Sequence, residues 1–300
     1  MTGVSVATSA AAEARARAVK RFWRKLPGQA GLYLAAILVG AVMLAPFVWM
    51  LLASIHTQAD LLLVPLRWLP EHPYFGRYIS LFTSNTAPYP DFRLALRNSL
   101  IVSVSVVAIS MIVGILGAYA FARMQFMFRR GVLMIFLFTY MLPQVALLIP
   151  LYLILAKAGL LDSLIGLILV DTSLVVPFVL WILSNYFLTI PLELEESAWI
   201  DGSSRLGSLF RIVLPSARPG IFAACMFAFL LAWDEFMYSL SLTSTRAFTI
   251  PVAVAKFSTQ HATDFGLVAA GGVLAALPPV ILAIVFQRNV ASGLIAGAVK

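Results

Sequence analysis

A chain of 300 residues that is 61% hydrophobic and 11% charged cannot clothe a water-facing surface, for which soluble domains use about 25% charged residues. Its 21 Lys and Arg exceed its 13 Asp and Glu, for a net charge of +8, but the cations are spread between apolar runs, which points to a lipid bilayer and away from nucleic acid. The single cysteine, Cys225, excludes an intramolecular disulfide, and His56, His72 and His261 have no metal-ligand spacing.

From the N-terminus, residues 1–30 read as a basic cytoplasmic segment, with Arg15, Arg17, Lys20, Arg21, Arg24 and Lys25 leading into an apolar run. That run is too long for a signal peptide and ends in no A-x-A-like site, so it reads as an uncleaved first span. A membrane helix needs about 20 mostly apolar residues to cross roughly 30 Å of hydrocarbon. Six stretches qualify: Leu32–Ser54, Ser99–Phe121, Gly131–Tyr152, Leu164–Phe187, Ile221–Leu242 and Phe265–Phe286. The expected fold class is all-α integral membrane, with six transmembrane helices over residues 31–290. Fourteen Lys and Arg fall on the side of the two termini and seven on the other, so both termini are expected in the cytoplasm.

Residues 55–98 form a long external loop in which Pro65, Pro70, Pro73, Pro88 and Pro90 alternate with Trp68, Tyr74, Phe75, Tyr78 and Tyr89. This composition suits short helices in the aromatic interface, or a surface for an external partner. In the second span Ser110, Gly114, Ala118 and Ala122 recur every four residues, a stripe on which a neighbouring helix packs closely. Pro143 with Gln144 beside it, Pro150 and Pro177 permit bends in the third and fourth spans. The acids inside the runs are Asp171 and the pair Asp234 and Glu235, each of which must face protein, water or an interface. For the pair, a structural role, a polar pathway and proton coupling all stay open, the last disfavoured because no His or Lys lies within the spans.

No phosphate loop, nucleophile elbow, HExxH helix or paired-Cys motif occurs, so energised transport would draw on another chain or on an ion gradient. The predicted cytoplasmic loop 191–219 is amphipathic: Glu193, Glu195 and Glu196 suit the start of a helix, and Trp199, Leu206, Phe210 and Val213 make an apolar stripe. Gly202 allows a close backbone approach or a break between two short helices. Periodicity alone reads this loop as a helix lying on lipid headgroups.

Within that loop, Glu196-Ser197-Ala198, Gly202 and Ile212-Val213-Leu214-Pro215 stand at the spacing of the EAA-xxx-G-x9-I-x-L-P motif. With Asp201-Gly202, Trp233-Asp-Glu-Phe236 and the tail Gly293 to Lys300, the chain resembles the MalG-like carbohydrate permeases of ABC importers. Two positions depart from that pattern: Ser197 for a second alanine, and Asp234 for the usual asparagine.

The resemblance implies a type I ABC importer permease (MetI-like) fold in a bacterial or archaeal cytoplasmic membrane. It implies four partners: a second, MalF-like permease subunit; two ATPase subunits, which bind the ATP and Mg; an extracytoplasmic solute-binding protein; and the bilayer. This chain would hold no cofactor and no catalytic residue. A coupling helix over about 196–206 would insert into the ATPase, and the coupling residues would be Glu196, Ser197, Ala198, Asp201, Gly202, Ile212, Leu214 and Pro215. Tyr140, Phe178, Trp233, Asp234, Glu235 and Tyr238 are the candidate pathway residues, the aromatic ones stacking on a sugar ring or packing between helices. The implied solute is a di- or oligosaccharide of the maltose or trehalose kind, with glycerol phosphate compounds or other sugars as alternatives. A gradient-driven secondary carrier is the rival reading. Residues 291–300 are expected to be a short cytoplasmic tail, in which Gly293 and Gly297 allow a bend toward a neighbour such as the ATPase pair, or an unstructured end.

Overall fold

The computed structural model describes residues 31–83, 91–258 and 264–298, with side chains up to residue 287. The basic segment 1–30, Pro88, Tyr89, Pro90, His261 and Lys300 lie outside the described residues. The chain divides into two compact units, one ending at Ala53 and the other beginning at Ser54.

Helix α1 (Gly31–Ile55) has 25 residues, enough to cross a bilayer. Its Leu34, Ile37, Leu38 and Leu44 are exposed, as a lipid-facing or partner-facing span requires.

The second unit opens with two short helices, α2 (Gln58–Leu61) and α3 (Gly76–Thr83), so the long external loop is locally helical. Arg77 of α3 is buried and donates to the Asp264 carboxylate at 3.1 Å and to the His56 carbonyl, joining the loop's two arms to the start of the last helix. Helix α4 (Phe92–Arg123) begins seven residues before the sequence-predicted span, because Asp91 caps it by accepting from the Leu94 N–H at 3.1 Å.

The third predicted span is broken. Helices α5 (Arg129–Met141) and α6 (Gln144–Lys157) meet at 93°. The residue before a proline is driven out of the α region, and Leu142 accordingly takes an extended ψ of 137° ahead of Pro143. Helices of 13 and 14 residues are about 20 Å long, so neither crosses the hydrocarbon alone. Among the described residues there are thus five helical segments of spanning length, or six spans if the bent pair counts as one. Pro150 and Pro177, in contrast, sit inside α6 and α7 (Leu164–Leu188) without ending them.

Beyond α7 come α8 (Glu193–Ile200), α9 (Arg205–Ser208), a π-turn over Leu209–Val213 and α10 (Leu214–Ser216). The fifth span is α11 (Arg218–Trp233) followed, after a break, by α12 (Met237–Leu242). Helix α13 (Ile250–Lys256) precedes α14 (Phe265–Ala298). The backbone of α14 stays helical past Gly293 and Gly297, so the tail is a helical extension and does not bend there up to Ala298.

The most extensive helix pairing among the described residues is α4 with α7. Ser110, Gly114, Ala118 and Ala122 are all buried, and a Cβ on Gly114 would stand 2.5 Å from Val179 Cγ1 of α7. The four-residue stripe is therefore the surface on which the two helices approach, as its small side chains require where lipid supplies no hydrophobic drive. A second cluster, with Phe92, Trp233, Phe248, Ile250, Phe257 and Leu267, ties the Phe92 end of α4 to α11, α13 and α14.

Candidate functional site: the loop after α7 and the cavity beside Asp234

The loop is not one helix. Helix α8 ends at Ile200, and the chain turns through Gly202 at φ +85°, a left-handed conformation that side chains with a Cβ resist. A Cβ on Gly202 would meet nothing within 4 Å, so here the residue answers to backbone geometry and not to a close approach. Ser204 restarts the chain by capping α9, its hydroxyl accepting from the Gly207 N–H at 3.1 Å.

The apolar stripe read from spacing splits accordingly. Leu206 and Phe210 are about 60% exposed while Val213 is fully buried, because the turn at Gly202 and the π-turn rotate the later residues onto another face. Ile200, at the end of α8, is also exposed, at 87%. Glu196, Ser197, Asp201 and Pro215 are also exposed, whereas Ala198, Ile212 and Leu214 are half-buried.

Beneath the loop sits a polar cluster that pattern-reading misses. Glu195 is wholly buried, and its carboxylate accepts from Arg123 Nε at 2.5 Å and from the Tyr119 hydroxyl at 2.9 Å. Arg123 also donates through Nη2 to the Ile190 carbonyl at 2.8 Å, and the Tyr119 hydroxyl lies 3.2 Å from the Arg205 carbonyl. The last turn of α4 thus grips the loop before α8, in α8 and at α9. In sequence Arg123 reads only as a positive-inside cation and Glu195 as one of three first-turn acids, since 72 residues separate the two and no local pattern joins them.

A second feature lies within the spans. A cavity of about 590 Å³ is lined by Tyr140, Gln144, Asp171, Phe178, Asp234 and Glu235, among others. Tyr140 and Phe178 stack there with ring centroids 5.5 Å apart. Four of the six predicted pathway residues, Tyr140, Phe178, Asp234 and Glu235, are brought together.

The other two are placed elsewhere. Trp233 is buried, stacks on Phe229 at 5.4 Å and donates to the Ala275 carbonyl of α14 at 3.0 Å. Tyr238 is fully buried, its hydroxyl donating to the Gln144 carbonyl at 3.1 Å. Indole and phenol groups taken out of water need a polar partner, and both found one in helix packing.

Asp234 and Glu235 differ in the same way. Glu235 is buried and accepts from the Tyr238 and Ser239 N–H groups at 2.7 and 2.9 Å, so it closes the N-terminus of α12 and satisfies the break in the fifth span. Asp234 is exposed to the cavity. Asp171, also buried, has no hydrogen-bond partner for either carboxylate oxygen among the described residues.

On the α6–α7 connection, Asp162 takes φ +50° and points its carboxylate at the chain after α12. It accepts from the N–H groups of Ser244, Thr245, Arg246 and Ala247 and from the Ser244 and Thr245 hydroxyls, at 2.9 to 3.3 Å. Partial burial pushes this carboxyl upward, but the Ser244 and neighbouring hydrogen bonds outweigh it and hold it well below the usual carboxylate range.

Residues 110–295 match the family of binding-protein-dependent transport system inner membrane components. The chain belongs to that family. Among relatives of this permease, the sulfoquinovosyl glycerol transport system permease protein SmoH of Agrobacterium fabrum is 35% identical over 269 residues, 89% of this chain and 93% of the relative. The trehalose/maltose transport system permease protein MalG of Thermococcus litoralis is 34% identical over 271 residues, 90% and 96% of the two chains. In fold, the permease is similar to a chain from the crystal structure of a bacterial ABC transporter involved in the import of the acidic polysaccharide alginate, with a TM-score of 0.71 at 22% identity, covering 85% of this chain and 95% of that one. The permease is therefore a multi-pass membrane transport subunit with the ABC importer permease fold.

Proposed function

We propose that this permease forms half of the translocation pore of an ATP-driven, binding-protein-dependent importer of a sugar, a di- or oligosaccharide of the maltose or trehalose kind. The observation that carries the reading is the exposure of three large apolar side chains, Ile200, Leu206 and Phe210, on a loop otherwise rich in charge. Apolar exposure of this kind, on a loop held by a buried ion pair, suits docking to another protein.

The partners in this reading are two ATPase subunits that bind ATP and Mg, a second MalF-like permease subunit and an extracytoplasmic binding protein. Both termini and the loop then lie in the cytoplasm. Glu196 and Asp201, exposed on the same loop, offer charge-assisted hydrogen bonds to the ATPase, and Ser197, Ala198, Gly202, Ile212, Leu214 and Pro215 shape the loop around them. ATP closes the ATPase pair, the docked loops follow, and the pore alternates between its two openings.

For the solute, Tyr140 and Phe178 offer an aromatic face and Asp234 and Gln144 offer polar groups. Asp171, Asp234 and Glu235 meet no Lys, Arg or His among the residues lining the cavity. A lining without a cation offers nothing to hold a phosphate or a sulfonate, which favours an uncharged sugar over a glycerol phosphate compound.

The experiment is to co-express the chain with its genomic neighbours, purify by a tag on this subunit and assay ATP hydrolysis with trehalose, maltose and other sugars on the binding protein. A stable assembly whose hydrolysis rises with one sugar is expected. A chain that purifies alone and drives gradient-dependent uptake in vesicles would replace this reading with a secondary carrier.

A further inference from the structure

We infer that α4 is the rod that carries the movement of the loop after α7 to the opposite side of the membrane, with Arg123 and Asn98 as positioning residues at its two ends. The inference rests on the reading above, in which that loop docks the ATPase.

At one end, Arg123 and Tyr119 hold Ile190, Glu195 and Arg205 by the buried and part-buried hydrogen bonds already described. At the other end, Asn98 is fully buried and its Nδ2 donates to the Arg246 carbonyl at 2.9 Å and the Phe248 carbonyl at 3.0 Å. Ser99, next to it and equally buried, accepts from the Ile250 N–H at 2.9 Å. The chain between α12 and α13 is thus fastened to α4 as the loop after α7 is fastened to its far end. Asn98 and Arg123 stand 25 residues apart in one helix, about 38 Å at 1.5 Å per residue, which exceeds the hydrocarbon thickness of roughly 30 Å.

The helix between them is uninterrupted and contains no proline. Other spans carry a proline inside the helix: α1 holds Pro46, α7 Pro177, and α14 Pro278 and Pro279. The fifth span is interrupted after Trp233, and the α5–α6 pair turns through 93°. A displacement entering at Glu195 therefore meets a continuous helix whose far end cannot move apart from residues 246–250 without breaking the hydrogen bonds of Asn98 and Ser99, two of them buried.

The test uses the intact complex in proteoliposomes, with Arg246→Cys in a Cys225→Ala background. The Arg246 side chain is 88% exposed, and its carbonyl is one that Asn98 holds. The labelling rate with a membrane-impermeant maleimide is compared without nucleotide and after trapping with ATP, Mg and vanadate. With both ends intact, trapping is expected to change the rate. Asn98→Leu should remove that change, and so should the paired substitution Arg123→Met with Glu195→Leu, which replaces the ions by apolar groups of similar size. The milder Ser99→Ala, with Asn98 in place, should reduce it. Pairing Ser99→Ala with a partial break at the other end, Tyr119→Phe, tests the series directly: two partial breaks in one linkage should do less than the sum of their separate losses, whereas independent damage at sites this far apart adds.

An unchanged rate on trapping the intact chain overturns the inference, as does a response surviving either substitution or losses that add. Loss of the ATPase subunits from the Arg123 and Glu195 variant overturns it too, by making the pair a docking determinant. A complex that never traps vanadate fails earlier, at the importer reading itself.

Discussion

Gly202 holds φ +85° with nothing near its missing Cβ, so its substitution cost is set by backbone conformation and not by volume. Asn, which tolerates the left-handed region, is expected to fold and dock nearly as well, while Gly202→Val should cost about 1–2 kcal/mol and lower the melting temperature of the purified subunit. Equal melting points for the two variants would remove the conformational explanation. Asp162 makes a pH prediction with a definite sign. Its carboxyl is held low in the fold, so its stabilisation is complete above the unfolded carboxylate value of about 3.9 and fades as pH falls from there toward the folded value. Hydrogen exchange at 243–249, corrected for intrinsic rates, should stay unchanged from pH 7 to 5 in the parent protein. In Asp162→Asn it should already be fast at pH 7, the amide losing about 1–3 kcal/mol of hydrogen bonding to the four N–H groups it faces.

Among the helices, the α4–α7 contact is the most constrained. Gly114→Leu places a side chain where Val179 already stands, and should cost about 1–3 kcal/mol by forcing the helices apart. Val179→Ala opens the same space, so the double variant should recover part of the lost melting temperature; no recovery would mean that the stripe does not pack as described. This surface was legible from four small residues at one spacing, because small-residue spacing is itself the physical requirement for close approach in lipid. The right-angle break between α5 and α6 was only half legible. Pro143 announces a perturbation, but the neighbours decide whether a proline bends, ends or merely interrupts a helix, as Pro150 and Pro177 illustrate by ending nothing.

For the assembled transporter, the exposed trio on the loop gives the clearest expectation. Ile200→Asp or Phe210→Asp introduces a charge at a largely exposed position, so the subunit should still insert and fold while the ATPase subunits fail to co-purify. Retention of the ATPase by both variants would move the docking surface elsewhere. Composition alone settled that the chain lives in a bilayer, because a surface with so few charges has no other solvent, and run length placed the first, fourth and fifth spans to within a few residues because hydrocarbon thickness demands it, but missed the early start of α4 and the break between α5 and α6. The spacing from Glu196 to Pro215 was readable as a family motif. Tertiary structure alone decided what individual side chains do within that frame. Trp233 and Tyr238 went to helix packing, Glu235 to closing a helix end, and Asp234 to the cavity, though all four look alike as polar or aromatic groups in one apolar run. The Arg123–Glu195 pair and the Asn98 contacts join residues 72 or more positions apart. Such partnerships exist only once burial has stripped the groups of water and left each needing the other, a condition set by the packed chain and by no local stretch of it.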